Sequence, residues 1–299
     1  MFDGFDEATI DVGETTIFIR RKGRGKPLLL LHGFPQTHLM WHRVAPALAE
    51  DFTVFCADLR GYGASGKPSS TKDHAPYAKS AMAFDMVRLM DMHGLRRFAV
   101  AGHDRGGRVA YRMALDHQDC IERLVVLDII PTGEALRRAD ARLALSYWPW
   151  SLLAQPEPLP EMLISGNPRA IVENALAAWG TDETSFPQAV RAAYVEALRD
   201  PRTVHAICEE YRAAATLDFA KDVEDQRAGR RIGCPVLALW SEGGPLDEWY
   251  RDAGGPLGIW KEWASRVSGR PIRGGHFFPE QNAHDTIEEL RSFLGAGGG

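Results

Sequence analysis

The stretch VAGHDRGG at residues 100–107 joins a short apolar run to a segment with helical periodicity. Gly102 and Gly106 stand two positions before and two after Asp104. A tight turn with small residues at these positions strains its central residue and lifts that side chain above a sheet. The stretch therefore predicts a strand, a sharp turn and a helix, with Asp104 presented as a nucleophile. Asp is also a common helix N-cap, which is the alternative interpretation.

Short apolar runs rich in β-branched and aromatic residues recur on both sides of this turn. They predict strands at residues 16–20, 28–32, 53–58, 98–102, 124–130 and 236–240. Helical patterns at residues 40–50, 79–93 and 106–117 separate several of them. Alternating strands and helices predict an α/β fold whose mostly parallel central sheet is covered on both faces.

The alternation breaks after Pro131. A region with several tryptophans and prolines then has helical patterns, until a strand pattern returns after Cys234 and Pro235. We interpret residues 132–225 as a helical cap inserted into a core domain made of residues 1–131 and 226–299. The polar stretch at residues 224–231 is the expected linker back to the sheet.

The composition is that of an ordinary globular protein. The 299 residues, 45% of them hydrophobic, suffice for one large domain or for a domain with an insertion. The net charge of −5 and the lack of dense Lys or Arg runs argue against nucleic-acid or membrane-surface partners. The four cysteines lack the spacing of a disulfide framework or a zinc site, and no metal is expected. Neither a signal-peptide pattern nor a membrane-spanning apolar stretch is present, so we expect a cytoplasmic protein.

The loop LHGFP at residues 31–35 follows the first strongly apolar strand. Together with the turn at Asp104, this arrangement places a backbone N–H group of the loop opposite the nucleophile. The N–H groups of Phe34 and Arg105 would then form an oxyanion hole. Taken alone, the loop is explained better by a Gly-Phe-Pro turn that merely ends a strand.

A glycine-rich stretch near the C-terminus supplies the candidate base. In RGGHFF at residues 273–278, His276 comes last in the order nucleophile, acid, histidine. Asp128 ends an apolar run, whereas Glu242 and Asp247 follow the strand pattern VLALW. Asp128 is favoured as the acid, because a carboxylate at a strand terminus is held rigidly and can orient an imidazole. Glu242 and Asp247 remain the alternatives.

Several segments together resemble one known family. HGFP, GHDRGGR, LDIIPT, the AQP of the cap and the terminal GGHF are similar to segments of the fluoroacetate and haloacetate dehalogenases, which are aspartate-nucleophile members of the α/β-hydrolase superfamily. The resemblance spans nearly the whole chain. The triad motifs are shared with epoxide hydrolases and haloalkane dehalogenases, but those relatives commonly have tryptophan where this chain has Arg105. The resemblance implies an α/β-hydrolase fold, a homodimer and catalysis without a cofactor.

Arg105 and Arg108 are three positions apart at the start of the predicted helix. Both can point towards one spot above Asp104, where the helix N-terminus also favours an anion. Guanidinium groups bind carboxylates through directed, charge-assisted hydrogen bonds. The resemblance implies that these two arginines hold the carboxylate of a small 2-halocarboxylate substrate. For Arg108, an exposed helix position paired with a nearby acid is the alternative.

The resemblance also implies a halide pocket in the cap, made by a His-Trp pair and a tyrosine. Trp150 matches the tryptophan, and Tyr211 in CEEYRAAAT matches the tyrosine. In the segment YWPW, Pro149 stands where the family has its fluoride-contacting histidine, unless the loop is shifted by one position and Trp148 substitutes.

These residues together predict a haloacetate dehalogenase that forms an ester on Asp104 and releases it with water activated by His276. Epoxide hydrolase is the alternative enzyme, because it shares this nucleophile and base. It requires two cap tyrosines, for which Tyr147, Tyr194 and Tyr211 are available. A non-catalytic binding protein on the same fold is the alternative from another class, since fold does not fix function. The complete set of nucleophile, base and acid weighs against it.

Overall fold

The computed structural model describes residues 1–180 and 185–295. Within these residues, eight strands form one sheet: β1 (Asp6–Asp11), β2 (Thr16–Lys22), β3 (Lys26–Leu31), β4 (Phe52–Ala57), β5 (Phe98–His103), β6 (Ile121–Leu127), β7 (Val236–Ser241) and β8 (Val267–Ile272). Their order across the sheet is β1-β2-β4-β3-β5-β6-β7-β8. β3 to β8 run parallel to one another, whereas β1 and β2 pair antiparallel at one edge. The predicted α/β-hydrolase fold with a mostly parallel sheet is confirmed.

The central strands are apolar on both faces because helices cover both sides of the sheet. Leu29 and Leu31 of β3 belong to one core cluster, and Leu28 and Leu30 of the same strand belong to the other. The edge strand β1 has the mostly exposed sequence DEATID. No apolar run marks it, and the sequence patterns did not predict it.

Helices flank the sheet and fill the stretch between β6 and β7. The described residues contain α1 (Ala45–Leu48), α2 (Lys79–Met92), α3 (Asp104–Asp116), α4 (Thr132–Arg137), α5 (Ala141–Ser146), α6 (Pro149–Leu152), α7 (Leu159–Gly166), α8 (Pro168–Trp179), α9 (Gln188–Ala197), α10 (Pro201–Ala213), α11 (Phe219–Arg227), α12 (Pro245–Trp249), α13 (Gly255–Trp263), α14 (Phe278–Gln281) and α15 (Ala283–Gly295). A π-helical turn, Ala214–Asp218, joins α10 to α11. No helix in these two ranges is both long and apolar enough to cross a membrane.

Helices α4 to α11, residues 132–227, lie between β6 and β7 in chain order and are called the cap segment below. That the cap segment is a domain separate from the core stays a prediction. The expected linker at residues 224–231 begins later than predicted, because α11 continues to Arg227. Asp222 and Asp225 on that helix form buried ion pairs with Arg112 of α3 at 2.7 and 2.6 Å, which hold α11 against the core.

The carboxyl ends of the parallel strands meet at one edge of the sheet, where open α/β folds place their ligand sites. The Phe34 loop follows β3, Asp104 follows β5 and Asp128 follows β6. His276 lies in the loop between β8 and α14. Residues that are far apart in the sequence are thereby brought to one place.

Candidate active site

Asp104 stands at the sharp turn between β5 and α3. Its φ angle of 44° lies in the left-handed region, a strained conformation for a residue other than glycine. A Cβ atom on Gly102 would lie 2.4 Å from the carbonyl oxygen of Gly106, and one on Gly106 would lie 2.5 Å from that of His32. The turn therefore requires glycine on both sides of Asp104.

The loop after β3 donates a backbone hydrogen bond to Asp104. The N–H group of Phe34 lies 3.0 Å from Oδ2 of Asp104. Gly33 permits this approach, since a Cβ atom there would lie 2.6 Å from Cβ of Asp104. Arg105 follows in the first turn of α3, where backbone N–H groups have no partner within the helix. One carboxylate oxygen of Asp104 thus has a backbone donor, while Oδ1 accepts no hydrogen bond from a described residue.

His276 and Asp128 form a buried pair beside Asp104. Nδ1 of His276 lies 2.6 Å from Oδ2 of Asp128. The backbone N–H group of Ser241, at the end of β7, donates to Oδ1 of Asp128 at 2.8 Å. Both oxygens of Asp128 are therefore engaged, and Nε2 is the ring nitrogen of His276 that remains for proton transfer.

The other two candidate acids lie elsewhere. Glu242 is exposed, with an oxygen 3.7 Å from Nε of Arg273. Asp247 accepts hydrogen bonds from Nε1 of Trp240 at 2.9 Å and from the N–H group of Gly243 at 3.0 Å. Of the three predicted carboxylates, the structure brings Asp128 to the histidine.

The loop that carries His276 is held from two sides. Nε2 of His103 donates to the carbonyl oxygen of His276 at 2.8 Å. The N–H group of His276 donates to the carbonyl oxygen of Trp179, in the cap segment, at 2.7 Å. Burial and the neighbouring His276 lower the pKa of His103 to about 3, so this ring stays neutral. His103 was not predicted as a site residue, although it directly precedes Asp104.

Charges around Asp104 favour its ionised form. Burial alone would raise the pKa of Asp104, but the positive charges of His276, Arg105 and Arg108 lower it below the ordinary carboxyl value. Burial also disfavours a charged His276, yet the hydrogen bond and the charge of Asp128 raise the pKa of this histidine. The site thus combines an ionised carboxylate with a histidine that can hold a proton.

Arg105 is fully buried beneath Tyr211. Its Nε donates to Oε1 of Glu210 at 2.8 Å, and its guanidinium carbon lies 3.9 Å from the centre of the Tyr211 ring. Although burial opposes the charge, Glu210 raises the pKa of Arg105 above its ordinary value. Nη1 and Nη2 have no hydrogen-bond partner among the described residues, and the side chain does not belong to the described lining of the cavity above Asp104. Arg105 therefore acts on the cavity through its positive charge, which reaches Asp104.

Arg108 does line that cavity. Its Nη1 donates to the carbonyl oxygen of Ile130 at 3.0 Å and to Oγ1 of Thr132 at 3.3 Å, while Nε is buried without a partner in the described part of the chain. Burial and the charge of Arg105 lower the pKa of Arg108. Because two buried like charges repel each other, an anion bound between them would be stabilised.

The cavity above Asp104 is walled mainly by aromatic side chains. Besides Phe34, these are Tyr147, Trp150, Trp179, Tyr211, Trp249 and Tyr250. The predicted site residues in its lining are Phe34, Asp104, Arg108, Asp128, Trp150, Tyr211 and His276. An apolar pocket with a few charged groups is the usual form of a small-molecule site.

Pro149 is also in the lining, next to Trp150. Trp148 instead directs Nε1 to Oδ1 of Asn174, 3.2 Å away on the exposed side of the cap segment. The proline is therefore the residue at the cavity, and Trp148 does not take its place.

Glu210 is a site residue that the sequence patterns missed. It is fully buried, and besides Arg105 it binds Nζ of Lys79 at 2.5 Å and the hydroxyl group of Tyr62 at 2.7 Å. The opposite charges of Arg105 and Lys79 lower the pKa of Glu210 despite burial. No pattern in the sequence marked this residue, because glutamates are rarely buried unless they are paired, and its partners lie far away in the sequence.

Trp249 and Tyr250 were missed as well. They follow β7, at the sheet edge that carries the other site residues. An aromatic pair in the segment that follows the strand pattern VLALW was the signal in the sequence. Both side chains contribute to the wall of the cavity.

The described residues contain one trio of possible metal ligands, His284, Asp285 and Glu288. It lies on α15 and includes no residue of the cavity lining. Exposed groups of this kind are common without an ion.

Comparison with known proteins gives consistent results. Residues 26–253 match the family model of the alpha/beta hydrolase fold. A curated fluoroacetate dehalogenase from a Burkholderia species is 43% identical over 298 residues, which cover 98% of this chain and 95% of that protein. A soluble epoxide hydrolase from Corynebacterium sp. strain C12 is 32% identical, with 91% of each chain covered. The crystal structure of a protein from Nostoc sp PCC 7120, described as an alpha/beta hydrolase, has a TM-score of 0.95 and 43% identity, covering 99% of this chain and 100% of that one.

Proposed function

The chain belongs to the haloacetate dehalogenase family of α/β hydrolases, and we propose that it hydrolyses the carbon–halogen bond of small 2-halocarboxylates, converting haloacetates to glycolate. One observation carries this proposal. Beside the buried carboxylate of Asp104 stand Arg105 and Arg108, with three guanidinium nitrogens that lack partners among the described residues. A nucleophile next to an unsatisfied cationic site suits a substrate whose electrophilic carbon is attached to a carboxylate.

In the first step the substrate carboxylate binds at Arg108, within the field of Arg105. This places the halogenated carbon for in-line attack by Oδ1 of Asp104. The N–H group of Phe34 holds Oδ2, which becomes the carbonyl oxygen of the ester. The electron pair of the carbon–halogen bond leaves with the halide, towards Trp150 and Tyr211.

In the second step His276 accepts a proton from water at Nε2, because Nδ1 is bound to Asp128. The water oxygen attacks Cγ of the ester, and the N–H groups of Phe34 and Arg105 stabilise the negative charge on Oδ2. When the bond between Cγ and Oδ1 breaks, the leaving oxygen takes the second proton of the water, so that the 2-hydroxy acid is released and the carboxylate is restored with an oxygen from water. The proton on His276 is then lost to solvent. A homodimer and a cytoplasmic location stay predictions.

The purified protein is expected to release halide from chloroacetate and bromoacetate faster than from fluoroacetate. Fluoride concentrates its charge on a small atom and leaves well only towards hydrogen-bond donors, and Pro149 has neither a side-chain donor nor a backbone N–H group. Losing a donor to a charged group costs about 1.5–3 kcal/mol, which corresponds to roughly 10- to 150-fold in rate. Steady-state kinetics with the three haloacetates measure this order. If no halide is released from any of them, the proposed function is wrong.

Pro149→His should then raise the ratio of kcat/KM for fluoroacetate to that for chloroacetate. Pro149→Ala is the matched control, because it adds a backbone N–H group but no side-chain donor, and it should raise the ratio much less than Pro149→His does. A native protein that already prefers fluoroacetate would contradict the role assigned to Pro149.

Asp128→Asn is expected to move the acid limb of the pH–rate profile to lower pH. His276 must be neutral to accept a proton, so activity is lost as the pH falls through its pKa. Burial lowers the pKa of His276, but Asp128 raises it above the ordinary value. Removing the charge of Asp128 should therefore lower the pKa of His276. The pH dependence of kcat with chloroacetate measures the shift. Asp247→Asn is the control and should leave the limb in place; a shift in Asp247→Asn alone would transfer the role of the acid to Asp247.

A further inference from the structure

Three tyrosine hydroxyl groups in the cavity have no hydrogen-bond partner among the described residues. Tyr147, Tyr211 and Tyr250 all belong to its lining, and their hydroxyl groups bind no residue in the ranges 1–180 and 185–295. By contrast, the hydroxyl group of the buried Tyr194 donates to Glu280 at 3.1 Å, and that of Tyr111 donates to Asp222 at 2.7 Å. Buried tyrosine hydroxyl groups usually find a partner. The unpaired ones in the cavity are therefore available to a ligand.

Two of these tyrosines face the reacting groups from the cap segment. The ring of Tyr211 covers the Arg105 guanidinium at 3.9 Å and meets the ring of Phe34 edge-on, with centres 6.0 Å apart. The ring centre of Tyr147 lies 5.9 Å from that of His276. The nucleophile is thus presented from the sheet side, and the hydroxyl groups from the cap side.

The hydroxyl groups on the cap side determine which leaving groups the site can accept. A halide leaves as a stable anion and needs hydrogen bonds only, whereas an alkoxide needs a proton as its bond breaks. Phenolic hydroxyl groups can donate that proton. The hydroxyl groups in this cavity can therefore also serve a leaving group that needs a proton.

We propose that the same site opens small oxiranes that carry a carboxylate on the ring, such as oxirane-2-carboxylate, with Tyr211 as the proton donor and Tyr147 as a second hydrogen-bond donor. This inference rests on the proposed function, because it uses the same nucleophile and the same arginines. It differs from a general epoxide hydrolase in requiring the carboxylate.

The arginines place C2 of the oxirane, the carbon attached to the carboxylate, where the halogenated carbon of a haloacetate lies. Oδ1 of Asp104 attacks C2, the bond between C2 and the ring oxygen breaks, and its electron pair goes to that oxygen. The oxygen takes the proton of Tyr211 and stays on C3 as a hydroxyl group. Water activated by His276 then hydrolyses the ester, giving 2,3-dihydroxypropanoate. The proton on His276 returns to Tyr211 through solvent, so one water is consumed for each oxirane.

The first experiment follows oxirane-2-carboxylate in ¹⁸O-labelled water. Over many turnovers the label is expected at C2 of the product, with inversion at that carbon, because the oxygen delivered to C2 comes from Asp104. The neutral analogue oxirane-2-carboxamide should have a kcat/KM lower by about 10- to 150-fold, because it loses the charge-assisted hydrogen bond to Arg108. Label at C3 would overturn the proposed placement of the substrate.

The second experiment compares tyrosine variants on oxirane-2-carboxylate and chloroacetate. Tyr211→Phe should lower kcat/KM for the oxirane by about 100-fold or more, as is typical when a general acid is lost. The loss for chloroacetate should be smaller, because chloride needs no proton and still leaves towards Trp150. Tyr147→Phe should cause a smaller selective loss. Tyr194→Phe is the matched control, because its hydroxyl group binds Glu280 rather than the cavity, and it should leave the ratio of the two activities unchanged.

The outcomes separate this inference from the proposed function. Halide release from chloroacetate without any hydration of the oxirane would overturn the inference and leave the dehalogenase intact. Absence of both activities would remove the proposed function itself. Oxirane hydration with the same ratio in Tyr211→Phe and Tyr194→Phe would overturn the role of Tyr211.

Discussion

Asp104→Ala is expected to abolish halide release, while His276→Ala is expected to form the ester on Asp104 and then stall. The two residues act in different steps: Asp104 supplies the atom that bonds to the substrate, and His276 acts only on water. Removing a catalytic nucleophile or its base typically costs roughly 10⁴- to 10⁶-fold in rate. This is the largest effect that we expect from any single substitution in the chain.

Intact-protein mass spectrometry after exposure to chloroacetate distinguishes the two variants. His276→Ala should gain the mass of one carboxymethyl group, located on the peptide that contains Asp104, together with one equivalent of released chloride. Asp104→Ala should gain nothing. His284→Ala is the control, because this histidine is exposed on α15, and it should turn over without accumulating an adduct. An inactive His276→Ala that never carries an adduct would contradict the assigned order of steps.

The turn at Asp104 was predictable because its geometry depends on neighbouring residues. Gly102 and Gly106 are required by contacts of 2.4 and 2.5 Å that any Cβ atom would violate, so the local sequence must contain them. The pairing of His276 with Asp128 spans 148 positions, yet it too could be predicted. Both residues follow parallel strands, and the ends of such strands meet at one edge of the sheet.

The partner of Arg105 could not be predicted in the same way. Glu210 lies 105 positions away on a cap helix, and no rule of strand order or spacing connects the two. Whether a glutamate is buried depends on the cations that reach it, here Arg105 and Lys79, and this is decided by tertiary packing. The edge strand β1 was missed for the opposite reason, because its exposed residues carry no apolar pattern.

This partner also determines which arginine is the better one to test. Removing Arg105 would leave the charge of Glu210 buried beside Lys79 alone, and breaking a buried ion pair is strongly destabilising. Arg108 forms no ion pair with a described residue, and among these residues it donates only to neutral oxygens, those of Ile130 and Thr132. Its replacement therefore tests substrate binding with less effect on folding.

Arg108→Leu is expected to lower kcat/KM for chloroacetate by roughly 10- to 150-fold, because a charge-assisted hydrogen bond to the substrate carboxylate is lost. Chloroacetamide has a similar shape but no negative charge, and its slower turnover should change little in the same variant. Arg96→Leu is the control, since this arginine is exposed at the surface. The comparison separates recognition of the negative charge from a general loss of structure. A general loss lowers kcat/KM for both substrates, whereas loss of the carboxylate-binding residue lowers kcat/KM for chloroacetate alone. Two results would show that Arg108 does not bind the substrate carboxylate: an equal loss of kcat/KM for chloroacetate and chloroacetamide, or unchanged chloroacetate kinetics in Arg108→Leu. Either result would also remove the observation on which the proposed substrate class depends.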